Sequence, residues 1–61
     1  MLTLTKLNLF DIVALNQDLS DLLAGQVGTI VEILAPEVYE VEFSDDGGQT
    51  YVYQHSSIRL R

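Results

Sequence analysis

From Val38 to Phe43 the chain alternates without a break, apolar then acidic. In an extended strand this sends Tyr39, Val41 and Phe43 to one face and Glu40 and Glu42 to the other. One face is therefore buried and the other is wet and acidic. Upstream, Val27–Leu34 is a β-branched run and the strongest strand signal in the chain. Gly28 inside that run points to a bulge or a close backbone approach. Pro36, which cannot donate to a ladder, makes Ala35–Glu37 a turn. Asp11–Leu15 reads as a first strand, Tyr51–Gln54 as a fourth and Ile58–Arg61 as a fifth. In the last of these Ile58 and Leu60 face inward and both arginines face outward.

The connections follow the same logic. Ser44–Thr50 contains Asp46-Gly47 and Gly47-Gly48, either of which supplies the positive φ angles of a tight hairpin. His55-Ser56-Ser57 is too polar for a strand and makes one tight turn. Between the first two strands, Leu19, Leu22 and Leu23 fall at i, i+3 and i+4, the spacing of a helical turn, with Asp18 as a cap and Gly25 as a stop. The segment is too short for a stable free helix and reads as a long, partly helical loop over the open end of a sheet. The expected fold is all-β, a small SH3-like barrel of about five strands. The expected core is Val13, Leu15, Ile30, Val41, Phe43 and Ile58, with at least one leucine of the loop.

A chain of 61 residues holds one domain, taken as residues 1–61, with a small core and no deep cleft. The 48% hydrophobic content suits a packed core. The absence of cysteine removes disulfides, thiolate zinc sites and cysteine nucleophiles. No apolar run approaches the ~20 residues that span a bilayer, and the start lacks the parts of a secretory signal, so a cytoplasmic protein is expected. Charge narrows the partners. Lys6, Arg59 and Arg61 lie near the ends, and all nine carboxylates fall between Leu7 and Ile58. Phosphate recognition needs clustered Lys and Arg, so neither nucleic acid nor an anionic membrane suits this surface. A charged partner would be a basic protein. An exposed edge strand allows a monomer or a weak homodimer.

The residues offer little chemistry. His55 with Ser56 and Ser57 lacks the convergent geometry of a nucleophile and its base, and one histidine does not make a zinc site. Asp45-Asp46-Gly47 lacks the alternate ligands and distal glutamate of a calcium loop. "GQVG" has neither the lysine nor the helix of a phosphate cradle. No catalytic, metal or cofactor residue is assigned, and the chain is not expected to be an enzyme. The binding candidates are Glu32, Glu40 and Glu42, which can share an outer face, and Tyr51 and Tyr53 as partly exposed aromatics. Tyr39 is assigned to the core. The reading is a small acidic protein-binding module, with a structural or assembly subunit of a larger complex as the alternative.

The pattern "DIVAL…DL…GQVGTIVEIL…VYEVEFSDDGGQTYVY…IRL" resembles a bacterial family of small stand-alone domains, frequent in cyanobacteria, described as a domain of unknown function. The resemblance runs from about Leu9 to Leu60. Its most specific parts are Gly25, Gly28–Glu32 and Tyr39–Phe43. It implies an SH3-like barrel, and an antitoxin-like or regulatory role toward the product of a neighbouring gene. It implies no catalytic residue.

Overall fold

A computed structural model describes residues 6–19, 22–43 and 47–61. The strands are β1 (Ile12–Leu15), β2 (Val27–Ala35), β3 (Val38–Glu42), β4 (Thr50–Gln54) and β5 (Ile58–Leu60), with a 3-10 turn at His55–Ser57 before the last. All neighbours pair antiparallel in one five-stranded sheet of order β4-β3-β2-β1-β5. The chain thus meanders through four strands and returns to pair its fifth with its first.

The alternation sorts the faces as the sequence predicts. Val13, Leu15, Ile30, Tyr39, Val41, Phe43 and Ile58 pack into one buried cluster with Leu22 of the first loop. Each such side chain stabilises the fold by about 1.5–3 kcal/mol relative to exposure. Leu7 joins the cluster from outside the strands. Leu60 does not, and remains 42% exposed; it sits at the end of the edge strand β5, where among the described residues no further strand covers it.

Gly28 lies opposite Val13 in the β1–β2 register. A Cβ there would fall 2.8 Å from Glu42 O, Phe43 Cδ1 and Val41 Cγ1. Gly28 therefore marks a close backbone approach. The bulges lie further along β2, where the register slips between Ile30 and Glu32 and again between Ile33 and Ala35. Val31 and Leu34 are the extra residues, and such insertions increase the twist of the strand that carries them.

The first loop differs from the helical expectation. Leu19 and Leu22 exchange backbone hydrogen bonds of 2.9 and 2.8 Å as an isolated antiparallel bridge; residues 20 and 21 lie outside the described residues. Asp18 does accept a backbone N–H, but that of Ala24, at 2.8 Å across the loop. A carboxylate that satisfies the backbone in this way competes with a helical turn. Gly25, at φ +87°, turns the chain out of the loop while its N–H donates to Leu15 O at 2.8 Å. Gly47 and Gly48, at φ +70° and +79°, supply the consecutive left-handed residues of the β3–β4 hairpin.

Candidate functional site

The β2–β3–β4 register decides where the candidate residues meet. Glu32 stands directly opposite Glu40, and Glu40 opposite Val52. One step along the same face, Thr29 stands opposite Glu42, and Glu42 opposite Thr50. Glu32, Glu40 and Glu42 thus share the outer face, on the side of the sheet away from the core. Thr50 Oγ1 donates to Glu40 Oε2 at 3.2 Å, which ties β4 to the carboxylate row. Val52 is 57% exposed beside these carboxylates, a β-branched apolar residue in an acidic surround.

Tyr51 and Tyr53 lie on the opposite, core-facing side. Tyr51 pairs with Val41 and Tyr53 with Tyr39. Both rings meet Phe43 edge-on, at centroid distances of 5.9 and 6.0 Å, and stack on each other at 6.3 Å. They are half-buried, packed against the core from the edge strand. The sheet therefore separates the five candidates into an acidic outer face and an aromatic inner flank. Among the described residues no cluster of His, Asp and Glu could hold a metal ion, and no helix is long and apolar enough to cross a membrane. Asp45 and Asp46, weighed above as a calcium loop, lie outside the described residues.

Residues 9–55 match the sequence profile of a family described as a domain of unknown function, DUF4926. The chain belongs to that family. The match takes in β1 to β4 and His55, so the acidic face and both tyrosines fall within the family's domain. No curated protein and no solved structure matches the chain.

Pro36, Glu37, Val38, Gln54, His55 and Ser56 line a cavity of about 310 Å³. It opens where the β2–β3 turn meets the 3-10 turn, and His55 N–H donates to Glu37 O at 2.8 Å to join the two. The Tyr39 and His55 rings lie 6.2 Å apart beneath that junction. Glu37 has φ +64°, a left-handed conformation that costs a side-chain-bearing residue about 1–2 kcal/mol. The sequence carries the cause. Two residues, Pro36 and Glu37, join paired strands, and the proline's fixed negative φ excludes the type I′ turn that suits a hairpin. The positive φ passes to Glu37, as at the third position of a type II turn, where glycine is usual.

Proposed function

We propose that this family member is a small non-enzymatic protein-binding module that docks a basic partner protein on the outer face of β2, β3 and β4. The observation that carries this reading is the pairing of Glu32 with Glu40, with Glu42 one step beyond on the same face. Like charges directly opposite one another destabilise a sheet by about 0.2–1 kcal/mol. A single lysine on that face would remove the cost, and the sequence has none between Leu7 and Ile58. A surface that keeps such repulsion is selected for its potential. Val52, 57% exposed on the edge strand beside Glu40, offers the partner an apolar contact next to the carboxylates.

An SH3-like barrel is the architecture we assign to this module. Support comes from the return of β5 to β1, the 3-10 turn before β5, and a long β2 whose two bulges twist it between its partners. The partner to seek first is the product of a neighbouring gene. The test is affinity capture with the wild-type chain and with the triple variant Glu32→Gln, Glu40→Gln, Glu42→Gln, from lysate of the native host at low and high salt. A basic protein retained by the wild type at low salt, and lost in the variant or at high salt, is expected. Equal capture by both proteins under both conditions would contradict the reading.

A further inference from the structure

We infer that the partner presents an extended segment with basic residues at alternate positions, and that the cavity between the β2–β3 turn and the 3-10 turn receives an arginine side chain of that segment. This rests on the protein-binding reading above and specifies what the face recognises. Val38, Glu40 and Glu42 follow one another at every second position of β3, and across the ladder they stand opposite Gln54, Val52 and Thr50. The acidic row therefore leads directly into Val38 and Gln54, which are cavity walls. Sites two residues apart on a strand are about 7 Å apart. An extended peptide laid along the strand repeats at the same spacing, so cations at alternate positions meet Glu42, Glu40 and the cavity in turn.

The cavity has the chemistry for the last of them. Its volume of about 310 Å³ lies at the bottom of the range of about 300–1,000 Å³ for ligand sites, ample for one long side chain. Pro36 and Val38 offer apolar wall to an aliphatic stem. Among the lining residues, Glu37, Gln54 and Ser56 carry side-chain acceptors. Arginine, with five donors in a planar fork and a weakly hydrated charge, satisfies a spread of acceptors that the compact lysine ammonium does not.

The test is a titration of isotope-labelled protein, followed by amide chemical shifts at low ionic strength. The probe is the end-blocked peptide Arg-Thr-Lys-Thr-Arg, whose symmetric ends fit either chain direction. Two controls are used, Arg-Arg-Lys-Thr-Thr with the same composition and Lys-Thr-Lys-Thr-Lys with the same charge. The alternating arginine peptide should bind tightest, and should shift the amides of Glu37, Val38, Gln54 and Ser56. Glu37→Gln, or the change to the lysine peptide, should weaken it by up to about fivefold, the scale of one partly exposed ion pair. If all three peptides bind alike, respond to Glu40→Gln with Glu42→Gln, and leave the cavity amides unmoved, the acidic-face reading stands and this inference falls. Failure of every basic peptide to bind would overturn both.

Discussion

Gly28→Ala adds one methyl group and probes the close approach of backbone and side chains at Gly28. Gly28 is not left-handed, so alanine meets no backbone penalty there. In the absence of a clash, the change would stabilise the protein by about 0.4–1 kcal/mol through the unfolded chain. The new Cβ, however, would lie 2.8 Å from Glu42 O, Phe43 Cδ1 and Val41 Cγ1. Carbon pairs are at their optimum near 3.5–4.0 Å, and one of the three neighbours is a ladder carbonyl that cannot rotate away. Overpacking of a close-packed core costs about 1–3 kcal/mol, and three simultaneous contacts place this site at the upper end. The net loss is about 2 kcal/mol, against a total of about 3–9 kcal/mol for a chain of this length. At about 4–8 °C per kcal/mol for a domain near this size, the melting midpoint should fall by about 8–16 °C. Urea unfolding followed by tyrosine fluorescence should show a lower midpoint with an unchanged slope. A midpoint equal to or above the wild type would refute the close approach of β2 to β3 and the packing built on it.

Further outcomes follow from other contacts. Phe43→Ala, which empties the centre of the core beneath both tyrosines, should cost about 3–5 kcal/mol, and an unchanged denaturation curve would show that β3 faces the other way. Glu37→Gly should raise stability by about 0.5–1 kcal/mol in thermal unfolding, the relief of a left-handed side chain less the entropy of glycine, while weakening any cation held at the cavity; a loss of stability would place the strain elsewhere. Arg59→Ala removes hydrogen bonds of 2.9 Å to Leu15 O and 3.0 Å to Asn16 Oδ1, and should cost about 1.5–3 kcal/mol. Hydrogen exchange should then quicken first at Ser57–Arg61, and uniform exchange would argue against Arg59 as the clamp on β5.

The strands and the core were legible because alternation maps onto burial with almost no freedom. A one-residue slip of β3 would put Glu40 and Glu42 into the core. The same pattern placed Tyr39 inside and Glu40 and Glu42 outside; Glu32, two residues after the buried Ile30, joins them through the bulge at Val31. The side taken by Tyr51 and Tyr53 is set by the pairing of Tyr53 with Tyr39 across the ladder, and "YVYQ" alone fits either side. The first loop misled because three leucines at helical spacing say nothing of Asp18 accepting from a backbone N–H six residues on, at Ala24. The Asp18–Ala24 bond and the Leu19–Leu22 bridge arise from chain closure. The bulges at Val31 and Leu34 carry no glycine or proline to announce them. Leu7 enters the core from a segment whose alternation with polar residues resembles a surface strand. Glu37 was readable in principle, since a proline in a two-residue hairpin forces the positive φ onto its neighbour. The cavity beside it depends on the 3-10 turn that returns from the far end of the chain.

The docking claim rests most directly on kinetics. Once a partner is in hand, its association rate with the wild-type chain and with the Glu32→Gln, Glu40→Gln, Glu42→Gln variant should be measured across ionic strength. Steering by exposed charges raises the encounter rate and fades as the Debye length shrinks, from about 30 Å at 0.01 M to about 8 Å at 0.15 M salt. The wild type should associate faster at low salt and slow down as salt rises. The variant, with its fold intact by circular dichroism, should be slower at low salt and less steeply dependent on salt. Equal rates for the two proteins, unaffected by salt, would contradict the acidic face as the docking surface.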